Sequence, residues 1–121
     1  GLINHDLIML DCNQVTIGDH VYFGPRCGLF AANHSEDPAV RTAGGVYSKP
    51  ITVGNQVWLG ANVSLLPGVT IGDNCIIGAG SVVTKDIPAN VVAAGNPCQV
   101  IRTIRIEDQE WIKKDKIFIP K

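Results

Sequence analysis

The sequence predicts an all-β solenoid, a three-sided column of stacked coils broken once by a loop. Two observations carry that expectation. From residue 53 onward the chain divides into sixes, VGNQVW, LGANVS, LLPGVT, IGDNCI, IGAGSV and VTKDIP. The stretch "FAANHSEDPAVRTAGGVYSKP", residues 30–50, stops the count and carries His34, one of 3 histidines in the chain.

The first position of each block is aliphatic: Val53, Leu59, Leu65, Ile71, Ile77 and Val83. The fifth is small or aliphatic: Val57, Val63, Val69, Cys75, Ser81 and Ile87. Earlier, IGDHVY and FGPRCG begin at Ile17 and Phe23 with Val21 and Cys27 fifth, and Leu29 opens a third block. A repeat of six fits neither the 3.6-residue period of an amphipathic helix nor the alternation of a half-buried strand. It fits a coil of three blocks, one per flat side of a triangular prism. First and fifth positions then point inward, and stability comes from stacking, since no single coil has a core. Glycine follows the first position at Gly54, Gly60, Gly72 and Gly78, and glycine, asparagine or aspartate after the first position is expected to supply turn conformations that bulkier residues resist.

At 121 residues the chain is one domain by length. Its net charge of −1 gives no support to a nucleic-acid or membrane-surface role. No apolar run approaches the roughly 18 residues of a membrane helix, and the start, GLINHDLIMLDC, lacks the pattern of a secretory signal. Cys12, Cys27, Cys75 and Cys98 are scattered without a C-x-x-C pair, so free, buried thiols in a reducing cytoplasm are expected.

Three stretches, DCNQVTIGDHVYFGP, NHSEDPAVR and the long run from Lys49 to Ile101, resemble the hexapeptide-repeat acyltransferases, most closely the maltose and galactoside O-acetyltransferase group. The likeness covers residues 4–104. It implies a left-handed parallel β-helix over residues 1–104, an exception to the right-handed crossover rule. It also implies a homotrimer, with the loop at about 34–50 projecting to wall an active site between subunits. Residues 105–121 form a C-terminal extension. There "IEDQEWIKKDKIF" places acids before lysines, as a helix dipole favours, so a short helix around 107–114 is expected to cap the last coil through Trp111 and Ile112.

The implied activity is acetyl transfer from acetyl-coenzyme A, a co-substrate, to a hydroxyl of a sugar or similar small acceptor. The hydroxyl must lose a proton as its oxygen attacks, and an imidazole suits that role. By resemblance His34 is this general base, acting by direct attack without an acyl-enzyme, with a backbone N–H around residues 59–61 as oxyanion donor. The donor groove is expected to run past Trp58, Ala61 and Ala79, with Thr84, Lys85 and Arg102 toward the nucleotide and its phosphates. Gln99 stands where the family often has a basic residue. Asn4 and Asp6 match acceptor-pocket positions. His20 is expected to face solvent, and His5 has no assigned chemistry. No metal is required: a zinc hydratase of this fold needs three histidines at paired spacing, whereas these are fourteen or more residues apart. Complete members of the group have a further N-terminal region that completes the acceptor pocket, and this sequence starts after its expected position. A non-catalytic β-helix trimer is the alternative function.

Overall fold

The computed structural model describes residues 2–3, 8–10 and 14–105. Successive blocks lie on three successive faces. The first face holds β1 (Leu2–Ile3), β4 (Tyr22–Phe23), β9 (Trp58–Leu59), β12 (Ile76–Ile77) and β14 (Val91–Gly95), and ends in β15 (Cys98–Thr103). The second holds β2 (Ile8–Leu10), β5 (Gly28–Phe30), β10 (Ser64–Leu65) and β13 (Val82–Val83). The third holds β3 (Val15–Ile17), β8 (Ile51–Val53) and β11 (Thr70–Ile71), extended by a parallel bridge from Ile71 to Ile87. Pairing within each face is parallel, except that β14 and β15 are antiparallel. This is a parallel β-helix.

The register gives the coil length. Trp58 pairs with Ile76, 18 residues on, and Ser64 pairs with Val82 at the same interval. Tyr22 pairs with Trp58, 36 residues on, so the interruption takes up the length of one further coil. Inward side chains follow the predicted positions. Phe23, Leu29, Val53, Leu59, Leu65, Ile71, Ile77 and Val83 head their blocks and are buried, as are the fifth-position Val21, Cys27, Val57, Val63, Val69, Cys75 and Ser81. Burying each large aliphatic contributes roughly 1.5–3 kcal/mol, but only between coils.

Two expectations about the repeat are corrected. The second-position glycines do not supply the turn. The left-handed residues sit fourth in the block: His20, Arg26, Gln56, Asn62, Asn74 and Gly80 have φ of 57°, 58°, 57°, 59°, 56° and 76°. The glycine after the first position is required by crowding. A Cβ on Gly24 would lie 2.5 Å from Ala61 N, and one on Gly72 would lie 2.5 Å from Ala89 N. The second correction concerns Ile87, expected at a fifth position. Its bridge to Ile71 puts it in first-position register. The corner at Thr84–Asp86 is two residues shorter than the others, so the last coil pairs at an interval of 16, Ile77 with Ala93. The Asp86 carboxylate closes this shortened corner by accepting the Thr70 N–H at 2.8 Å.

The stretch at 31–50 has its own structure rather than being the loop expected. β6 (Ala32–His34) and β7 (Val46–Ser48) pair antiparallel in a separate sheet, with α1 (Pro38–Thr42) between them. The Asp37 carboxylate accepts the Ala39 and Val40 N–H groups at 2.8 and 3.2 Å, and Pro38 needs no acceptor at the first helical position. Nothing in α1 is buried, consistent with the absence of a six-residue apolar count. The excursion leaves after the second face and rejoins at the third, its neck closed by the Lys49 N–H donating to Ala31 O at 2.9 Å. The expected helix around 107–114 lies outside the described residues, as does Cys12.

Candidate active site

The corner between the first and second faces stacks Ala61 and Ala79 in successive coils. The Gly80 N–H donates to Ala61 O at 2.8 Å, and a Cβ on Gly60 would lie 2.7 Å from Ala79 N. At this corner the backbone ladder leaves donors unused. The Gly60 N–H is taken by Ile77 O at 2.9 Å and the Asn62 N–H by Pro25 O at 2.9 Å. The N–H groups of Ala61 and Ala79 have no acceptor among the described residues. Of the backbone donors expected around 59–61, Gly60 is therefore spent and Ala61 remains. Parallel neighbours are about 4.8 Å apart, so the two open donors form a short column on a surface of small side chains.

Trp58 lies half-buried on the outer side of the first face, in line with Tyr22, Ile76 and Val92. That ladder is apolar, and Tyr22 is 41% exposed. The outer side of the third face carries Thr16, Thr52 and Thr70 in register. Thr84 and Lys85 are exposed on the shortened corner between the second and third faces. Arg102 is half-buried on β15 opposite Val92, and its Nη1 donates to Thr103 O at 3.2 Å. The residues expected at the donor site thus occupy two corners and the end of one face.

His34 ends β6 and is exposed. Its backbone N–H is held by the Asn33 side chain at 2.9 Å. The Ser35 hydroxyl accepts the Asp37 N–H at 3.2 Å, tying the turn after the histidine to the cap of α1. A cleft of about 460 Å³ is lined by Asn33, His34, Ser35 and Glu36. The excursion leaves at the second-to-third corner, whereas Ala61 and Ala79 lie at the first-to-second corner. Within one chain, the second face separates the histidine from the open N–H column. Asn4, Asp6 and His5 lie outside the described residues. His20 is exposed at its turn.

Cys27, Cys75 and Cys98 are free and buried, as expected. The Cys27 thiol donates to Gly60 O at 3.1 Å and the Cys75 thiol to Pro88 O at 3.0 Å. Burial pushes all three thiols above their ordinary 9.0, and hydrogen bonds offset part of that rise. Among the described residues no group of three histidine, cysteine or acidic side chains could hold a metal, and no helix is long and apolar enough to cross a membrane.

Sequence reading expected a backbone donor around residues 59–61 but missed the open N–H of Ala79 and the role of the Ser81 hydroxyl. The signal for the hydroxyl was present: Ser81 is the one polar residue among the fifth positions of the blocks.

The repeat and its stacked corners are those of a hexapeptide-repeat β-helix, the architecture of the acyltransferases to which this chain is similar. Residues 50–85 match the family model described as bacterial transferase hexapeptide (six repeats). Among such proteins it is similar to sugar O-acetyltransferases. A galactoside O-acetyltransferase of Escherichia coli (strain K12) is 53% identical over 112 residues, 93% of this chain and 55% of the relative. A maltose O-acetyltransferase structure from Clostridium difficile 630 superposes with a TM-score of 0.84 at 49% identity, covering 86% of this chain and 56% of that one. A galactoside acetyltransferase in complex with coenzyme A gives 0.83 at 50% identity, covering 88% and 56%. The chain spans about half the length of the curated relatives it matches.

Proposed function

We propose that this chain is the donor-binding, histidine-bearing part of an acetyl-coenzyme A-dependent O-acetyltransferase that works as a homotrimer of left-handed β-helices. The observation that carries the reading is the pair of open N–H groups at Ala61 and Ala79, stacked beside small side chains. An extended arm bearing a thioester and amide carbonyls needs such a column of donors and close backbone approach, and the relative with coenzyme A bound has the same fold. Lys85, exposed, and Arg102 supply cations for the donor's phosphates; Thr84 lies beside Lys85, and Trp58 offers a flat apolar surface for the arm.

In the reaction, His34 accepts the proton of the acceptor hydroxyl as that oxygen bonds the thioester carbonyl carbon. The Ala61 N–H donates to the oxygen as negative charge develops there. The carbon–sulfur bond then breaks, and the proton passes from the imidazolium to the leaving thiolate. Because the second face separates His34 from the N–H column in one chain, a neighbouring subunit brings the two together. The apolar ladder of Tyr22, Trp58, Ile76 and Val92 is the surface available for that assembly. The acceptor is a sugar or similar small hydroxyl compound, as the names of the relatives suggest, with Asn4 and Asp6 in its pocket.

The test is thiol release from acetyl-coenzyme A across a panel of sugars, aminoglycosides and simple alcohols. Acceptor-dependent release with a hydroxyl sugar supports the reading. Coenzyme A binding without turnover on any acceptor would favour the scaffold alternative, and failure to bind coenzyme A would overturn the donor site.

A further inference from the structure

The first-to-second corner contains a third member of the N–H column. Ile77 pairs with Ala93, and a Cβ on Gly78 would meet the Ala94 Cβ at 2.9 Å, so Gly95 occupies the place in the last coil that Ala79 and Ala61 hold below it. Gly95 differs from them in lacking a side chain and in its φ of 112°, and its N–H is not open. Its N–H donates to the Ser81 hydroxyl at 3.0 Å, while that hydroxyl donates to Gly78 O at 2.6 Å. Ser81 is fully buried. The residues in register with it in the coils below are Val63 and Cys27. Valine has no acceptor, and the Cys27 thiol is used as a donor, to Gly60 O. Among the described residues, only the last coil has its corner N–H covered, and Pro25, level with Ala61 in the coil below, has none.

We infer that Ser81 is a positioning residue that sets the register of the donor arm by closing the third N–H of the column and bracing the Gly78–Gly80 turn that presents the second. A repeating backbone offers a repeating ligand several equivalent seats one strand spacing apart, much as an unpinned strand offers several registers. Covering Gly95 leaves two seats among the described residues, so an arm with carbonyls at fixed separation has one way to dock there. The bond to Gly78 O also holds the carbonyl side of the turn bearing Ala79, which fixes the direction of its N–H. This inference rests on the proposed donor groove.

The test is calorimetric titration of coenzyme A into the wild type, Ser81→Thr and Ser81→Val, with melting temperatures measured alongside. The two variants have nearly the same shape, the shape Val63 has at the equivalent site, and differ in the hydroxyl. Ser81→Thr is expected to bind like the wild type, and Ser81→Val about tenfold more weakly, because the unbraced turn no longer aims the Ala79 N–H and one hydrogen bond at the docking site is weakened. A lower melting temperature for Ser81→Val with unchanged affinity would make the serine purely structural and overturn the inference, as would equal weakening in both variants. If Ser81→Val does not fold, Ser81→Cys takes its place; its thiol donates to a carbonyl but accepts weakly, so weakened binding is expected and wild-type affinity would overturn the inference. A wild type that binds no coenzyme A overturns the donor groove itself. A wild type that binds, with Ser81→Val binding equally well, overturns the role of Ser81 alone.

Discussion

Gly60 and Ala79 meet across neighbouring coils with no room for a side chain between them: a Cβ on Gly60 would lie 2.7 Å from Ala79 N and 3.0 Å from its Cα. Both obstructing atoms belong to the backbone, so the coils themselves would have to part. Gly60→Ala is therefore expected to destabilise the protein by about 1–3 kcal/mol, the range of an overpacked core. Because the strain falls on the turn that presents the Ala79 N–H, coenzyme A affinity should fall with it. Urea melts and a coenzyme A titration of the same variant check both effects.

The buried thiols give the protein a pH-dependent stability. Loss of solvent raises Cys27, Cys75 and Cys98 above the 9.0 that they regain on unfolding. Above pH 9 the unfolded chain releases these protons first, so it binds fewer protons than the native state and stability falls as pH rises. The contribution is whole below pH 9 and is lost as pH climbs through the native values. The urea midpoint should drop between pH 8 and pH 10, and Cys27→Val with Cys75→Val should flatten that drop. Valine fits because Val57 and Val63 fill fifth positions elsewhere.

His34→Ala is expected to lower turnover by about two to four orders of magnitude, as loss of a general base does. Coenzyme A affinity should change little, since the imidazole takes its proton from the acceptor hydroxyl and holds no part of the donor arm. Steady-state kinetics with a parallel titration separates the two. Undiminished turnover would remove His34 from the chemistry.

Lys85→Glu reverses a charge on an exposed corner. If phosphates dock there, donor affinity should fall, and the loss should shrink as salt is raised because the site is open to solvent. Isothermal titrations at low and high ionic strength check it. Equal affinity at low salt would move the phosphates elsewhere.

The interior was legible in the sequence because a residue's place in a count of six sets whether it points inward. Phe23, Leu59 and Ile77 could be assigned to the core on that basis. The count did not say why glycine stands second: a turn and a close approach both favour glycine, and only the register between coils separates them. The turn itself falls on the fourth position, where Asn62 and Asn74 tolerate positive φ. The shortened corner before Ile87 was hidden because an aliphatic residue suits both the fifth and the first position. For the site, His34 stood out by interrupting the repeat, whereas the open N–H groups are backbone and leave no mark in side-chain identity. The face that carries Trp58 and the corner that carries Lys85 become visible only once coils are stacked.

The most direct test mixes two inactive forms. His34→Ala removes the base, and Ala79→Trp blocks the N–H column, each in every subunit of its own assembly. If the base of one subunit serves the groove of the next, subunits unfolded together and refolded at equal ratio should regain about a quarter of wild-type turnover, as random assortment in a closed ring gives. No recovery at any mixing ratio, with assemblies shown to contain both variants, would mean that histidine and groove do not meet across subunits.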